Sequence, residues 1–172
     1  MMPTVRGIQD GWDSCLQILE GHAGPVNTVA FPQRRSLFAS ASSDRTIRLW
    51  NSVTGSHKTL KGHRSYVLAV SFSPDDKLLT SASSDGIVRL WDVEGVHVAT
   101  FEGHSDWVTA VVFSPDSKIL ASASGDRTVR LWNHTTGERK VLEGYGDSVN
   151  ALAFSCNGKM LTSCSSDRII RL

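Results

Sequence analysis

Apolar residues fall along most of the chain in short runs, mixed or alternating with small residues and separated by Gly, Pro, Asn and Asp. Runs of this length bounded by turn residues predict β-strands rather than helices. Between Tyr66 and Val93 the runs are YVLAVSFS, KLLTSASS and IVRLWDV. The segments SPDD, SPDS, SSDG and CNG between such runs supply the Pro, Asp and Asn-Gly chemistry of tight reversals. A further run, CLQILE, HKTLK, HVATFE or RKVLE, ends just before each of four glycines.

Those glycines, Gly21, Gly62, Gly103 and Gly144, recur every 41 residues. So do Asp44, Asp85, Asp126 and Asp167, and so do Trp50, Trp91 and Trp132. A fixed period of this length means one structural unit repeated, and four antiparallel strands per unit predict a propeller blade rather than a helical solenoid. The expected organisation is a flexible leader over residues 1–13 and a repeat domain over 14–172. Within that domain an outer strand at 14–20 precedes units at 21–61, 62–102 and 103–143 and an incomplete unit at 144–172.

Gly-His, a serine, a turn aspartate and Trp-Asp or Trp-Asn recurring together resemble the WD40 family over residues 14–172. The resemblance implies an all-β protein, a β-propeller of four four-stranded antiparallel blades, used as a platform for partner proteins. It also implies a structural tetrad in each complete unit: His22, Ser40, Asp44 and Trp50; His63, Ser81, Asp85 and Trp91; His104, Ser122, Asp126 and Trp132. In each, the indole N–H is expected to donate to Ser, Ser to His, and His to Asp. Ser, His and Asp also make catalytic triads. An active site, however, is built once around one activated nucleophile, whereas this set is repeated in every complete unit. Buried His and Trp groups need partners in any case, since each unpaired group costs about 1–3 kcal/mol. No enzyme activity, cofactor or metal is therefore expected. In the fourth unit Tyr145 stands where the others have His, so that tetrad cannot form.

With an outer strand first and three inner strands last, the strand count equals four complete blades, and three outcomes are open: a strained four-bladed ring, a homodimer of eight blades, or a portion whose missing blades belong to a longer protein. The sequence stopping inside a strand, just before a tryptophan, favours the third. The first hairpin also departs from the pattern, with FPQRRS in place of FSPDDK, and is expected to be looser or a contact.

Composition narrows the function. Of 172 residues, 40% are hydrophobic and 20% charged, which suits a globular domain with a core. A net charge of +1 gives no general attraction for nucleic acid or anionic membranes. Arg48, Arg89, Arg130 and Arg171 repeat with the 41-residue period, and with charge so balanced a structural or solvated ladder is favoured over a nucleic-acid stripe. Cys15, Cys156 and Cys164 form no C-x-x-C pair, and His57, His97 and His134 keep no period and have no ligand set around them. The free thiols and the lack of a signal sequence or long apolar run suggest an intracellular, cytoplasmic protein with no direct membrane insertion.

The loops entering each first strand, GHAGPVN, GHRSYVL, GHSDWVT and GYGDSVN, are the variable part of the unit. Asn27, Arg64, Tyr66, Asp106, Trp107 and Asn150 there are candidate partner-binding residues, because Tyr, Trp and Arg dominate interface energetics. Three readings of function follow. The first is a non-catalytic scaffold or adaptor for other proteins. The second is a ligand-sensing portion of a larger signalling ATPase, since near-identical units such as SPDSKILASASGDRTVRLW resemble the WD40 arrays of fungal NACHT/NLR-like proteins. The third is an adaptor recruiting a dynamin-like GTPase at the cytosolic face of the mitochondrial outer membrane. A cullin-type ligase receptor is disfavoured because WNSV, WDVE and WNHT lack the arginine of that signature.

Overall fold

A computed structural model describes residues 18–172 of the chain. The leader 1–13, Cys15 and most of the strand expected at 14–20 lie outside the described residues. Ile18–Glu20, at its end, is not part of a strand.

Among the described residues there are fifteen β-strands in four antiparallel sheets and no helix. Blade 1 is β1 (Val26–Ala30), β2 (Leu37–Ser42), β3 (Thr46–Asn51) and β4 (His57–Lys61). Blade 2 is β5 (Val67–Phe72), β6 (Leu78–Ser83), β7 (Val88–Asp92) and β8 (His97–Phe101). Blade 3 is β9 (Val108–Phe113), β10 (Ile119–Ser124), β11 (Val129–Asn133) and β12 (Arg139–Leu142), and blade 4 is β13 (Val149–Phe154), β14 (Leu161–Ser165) and β15 (Ile170–Arg171). Each sheet is a meander in which consecutive strands pair, as a β-propeller requires. The last has three strands among the described residues.

The core lies between blades. Val67, Val70 and Phe72 of blade 2 pack on Ala39, Ala41, Ile47 and Leu49 of blade 1, and the Val108 and Val149 strands repeat the arrangement. Fully burying each such side chain contributes about 1.5–3 kcal/mol, so the junctions between sheets hold the array together. Alanines at the second-strand positions, Ala39, Ala41, Ala82, Ala121 and Ala123, are buried and let the neighbouring sheet approach.

The first strand of every blade carries a β-bulge, at Asn27, Leu68, Thr109 and Asn150. A bulge re-aims its side chain. Asn27 Nδ2 donates to Val67 O of the next blade at 2.8 Å, and Thr109 Oγ1 donates to Val149 O at 2.6 Å. A second stitch fixes the unusual first hairpin: the Asp76 carboxylate of blade 2 accepts the backbone N–H groups of Gln33 and Arg34, both at 2.7 Å. The hairpin is therefore anchored to its neighbour rather than loose.

Candidate functional site

Each Gly-His loop meets the turn between the second and third strands of its own blade, and the two are joined through His and Asp. In blade 1, His22 Nδ1 lies 2.8 Å from Asp44 Oδ2 and Nε2 lies 2.7 Å from Ser40 Oγ, which accepts the Trp50 indole N–H at 2.7 Å. In blade 2 the matching distances are 3.1 Å for His63 to Asp85, 2.8 Å for His63 to Ser81 and 2.9 Å for Trp91 to Ser81. In blade 3 they are 2.8 Å for His104 to Asp126, 2.8 Å for His104 to Ser122 and 2.9 Å for Trp132 to Ser122. An indole can only donate, so the serine oxygen accepts from it and the serine proton goes to Nε2. That leaves Nδ1–H to donate to the carboxylate.

The aspartate does more than receive the imidazole. Asp44 accepts the N–H of Ala23 and of Thr46, Asp85 those of Arg64 and Ile87, and Asp126 those of Ser105 and Thr128. Burial opposes ionisation of Asp85, but the His63 hydrogen bond and those two N–H groups outweigh it and hold the carboxyl at about 2. Asp44 and Asp126 are held low against burial in the same way, with Thr46 and Thr128 hydroxyls as the leading donors. Burial pushes His104 below its ordinary value despite Asp126, and so favours the neutral imidazole.

This geometry does not suit catalysis by the tetrads. Ser81 and Ser122 have no exposed surface. Their hydroxyls are engaged by Trp and His together, so no substrate carbonyl can reach them.

Blade 4 solves the same problem with other groups. The Tyr145 hydroxyl lies 2.6 Å from Ser163 Oγ, in the place of the imidazole. Asp167, without a histidine, accepts the Gly146 N–H and pairs with Arg171 at 2.9 Å, while the Arg171 guanidinium sits 4.6 Å over the Tyr145 ring. Arg171 also donates to Gly144 O at 2.8 Å.

The periodic arginines have a structural use in every blade. Arg48 and Arg130 lie over the Trp50 and Trp132 rings, at 5.6 and 5.9 Å, and Arg48 donates to Gly21 O. Gly21 has φ +150°, a backbone conformation that side-chain-bearing residues rarely adopt, and a Cβ there would also displace the Arg48 guanidinium. Arg89 donates to Thr100 Oγ1 at 3.2 Å. The off-period histidines are likewise occupied. His57 packs on Trp50 and receives Arg48, His97 packs on Trp91, and His134 donates to Ser117 O. Among the described residues no three metal-ligating side chains converge. Cys156 and Cys164 are unpaired thiols.

Of the candidate contact residues, Tyr66 and Trp107 are 52% and 60% exposed at equivalent positions of neighbouring blades. Arg64 and Asp106 beside them are exposed as well. Asn27 and Asn150 differ: Asn27 is a stitch between blades, and Asn150 Nδ2 donates to Ser166 Oγ of its own blade. The sequence signal for this is the polar residue at three of the four 41-residue equivalents of position 27, which marks a shared structural duty.

Residues 13–51, 55–92, 95–133 and 137–172 match the family described as WD domain, G-beta repeat. The chain belongs to the WD40 family. WD40 repeats are in general scaffolds for protein–protein interaction. Among curated proteins this WD40 chain is similar to vegetative incompatibility protein HET-E-1 of Podospora anserina, 42% identical over 53 residues, covering 31% of the chain and 4% of that protein. It is also 52% identical over 44 residues to coatomer subunit beta'-3 of Arabidopsis thaliana, covering 25% of the chain and 5% of that protein. Periodic tryptophan protein 2 of Saccharomyces cerevisiae is 47% identical over 47 residues, covering 27% of the chain and 5% of that protein. The matches thus span about a twentieth of the length of these relatives.

Proposed function

We propose that this WD40 chain is a non-catalytic scaffold that holds a partner protein on the edge where the Gly-His loops emerge. The exposure of Tyr66 and Trp107 carries the reading. Large aromatics left in solvent on a rigid frame cost little entropy to use, and such residues supply most of the energy of an interface. The frame is rigid because each loop is tied through its tetrad to the turn beside it. Asn27 and Asn150 are proposed contacts only through their exposed edges, so the aromatic pair and its neighbours Arg64 and Asp106 lead. Residues 14–172 are taken as the platform and 1–13 as a leader. A cytoplasmic location fits the unpaired thiols Cys156 and Cys164.

The test is capture of a partner by the intact chain, followed by binding of that identified partner to a Tyr66→Ala/Trp107→Ala variant. Loss of about tenfold or more in affinity per hot-spot residue is expected. Unchanged binding by a folded double variant would sink the reading.

A second reading has an observation of its own. The likeness to HET-E-1 supports a sensing portion of a larger fungal NACHT/NLR-like signalling ATPase, whose nucleotide site would lie outside this chain. Sequencing of the whole transcript decides it, because that reading requires an upstream G-x-x-x-x-G-K-[ST] phosphate loop.

A further inference from the structure

The three internal junctions share one apolar design, supplemented at the first and third by a bond from the bulge side chain, and the two outermost sheet faces each display half of it. In the design, one blade supplies a bulge side chain and the pair Ile47 and Leu49, and the next supplies the Val67 carbonyl with Val67, Val70 and Phe72. Blade 1 displays the receiving half: Val26, Val29 and Phe31 stand at those positions and are exposed, Val29 to 56% where Val70 is 8%. Blade 4 displays the giving half. Asn150 occupies the bulge but makes only the bond within its blade, whereas Asn27 makes both, and Ile170 is 72% exposed where Ile47 is 1%.

The strand edges are complementary in the same sense. In each complete blade the residue two before the glycine of the next unit pairs with the third-strand residue three after the turn aspartate: Leu60 with Ile47, Phe101 with Val88, Leu142 with Val129. Ile170 is the fourth such position; it pairs with Cys164 of β14 on one side and has no strand on its outer side among the described residues. Leu19 is two before Gly21 and has no third strand beside it among the described residues.

We propose that a second copy of this chain covers both faces: blade 4 of one copy docks on blade 1 of the other, with the partner's Leu19 opposite Ile170 and the partner's Ile18 opposite Arg171. The interface continues an apolar contact already present three times in the molecule, and a bulge bond present twice, with the spacing Val-x-x-Val-x-Phe shared by blades 1, 2 and 3. Leu19 is tethered to blade 1 by two residues, a reach of about 7 Å, so it can join β15 only where blade 1 lies beside blade 4. Among the described residues of one chain the blades pack in the order 1, 2, 3, 4, with no comparable packing of blade 4 on blade 1. Two-fold symmetry then uses both faces of both copies and closes eight blades with no unpaired edge.

Light scattering after size exclusion of the full chain is expected to give twice 18.7 kDa. Val29→Asp and Ile170→Asp alter opposite faces at side chains exposed in the single chain. Each is expected to yield a monomer with unchanged β-sheet circular dichroism. A monomeric parent chain overturns the proposal and assigns the faces to further blades of a longer protein or to ring closure within one chain. A dimer that survives both substitutions, or open assemblies and aggregate of no discrete mass, overturns it equally.

Discussion

Blades 3 and 4 carry the same spacing of serine, aspartate and arginine, yet they are held by different chemistry. In blade 3, His104 bridges Ser122 and Asp126, and Trp132 closes the far side. In blade 4, Tyr145 reaches the serine but not the aspartate, and Arg171 turns to Asp167 instead. A phenol has one hydrogen-bonding atom and an imidazole has two. The comparison teaches that the bridge between loop and turn depends on a side chain with two polar ends, and that the serine contact alone can be kept by other means. Blade 4 is accordingly the more open: Asp126 is enclosed by His104 and Thr128, whereas Asp167 has an arginine and backbone N–H groups for partners.

The contrast can be broken most severely at Trp132. Trp132→Ala removes a buried ring that packs on Phe101 and His104, and urea unfolding should show a loss of about 3–5 kcal/mol. Next comes His104→Ala, which takes one partner each from the Ser122 hydroxyl and the Asp126 carboxylate while their bonds to Trp132 and Thr128 remain; a loss of about 2–4 kcal/mol is expected from the two enclosed groups. Tyr145→Phe, the matching deletion in blade 4, removes one bond to a hydroxyl and should cost about 1 kcal/mol.

Acid sharpens the same difference. His104 is held below its ordinary value of 6.5 by burial, so the unfolded chain takes up the proton first. Its contribution is complete above about pH 6.5 and declines as pH falls below it. Asp85, held at about 2, contributes above its ordinary 3.8 and loses that contribution as pH falls toward 2. Both slopes have one sign: stability drops on acidification, in two windows. His104→Gln should flatten the upper window, measured as the urea midpoint between pH 7 and 5. A residual slope should come from His57, which burial and Arg48 hold low. The smallest effect belongs to the exposed edge, where Tyr66→Ala should change stability by no more than about 0.5 kcal/mol while weakening partner binding.

Much of the blade design is legible in the amino-acid sequence itself. A 41-residue period stamps the tetrads on the chain, and turn residues mark where strands end, so HKTLK forms β4 at its expected limits. Contacts between blades are not legible in that way. The target of Asn27 is a backbone carbonyl forty residues away, and a backbone carbonyl has no residue type to search for. The same holds for Asp76, which grips two N–H groups of the preceding blade's hairpin. The arginine ladder is visible as a period, but its duty depends on a glycine carbonyl and a ring face that only the folded blade brings together. At Tyr145 the loss of histidine is plain, whereas the substitute bond to Ser163 depends on the length of the phenol.

The two-ended bridge is tested most directly by the urea midpoint of His104→Ala set beside that of Tyr145→Ala under one buffer condition. If the bridge is what stabilises a complete blade, the His104 variant loses clearly more stability, by about 1–2 kcal/mol beyond the other. Equal losses, or a larger loss at Tyr145, would contradict it.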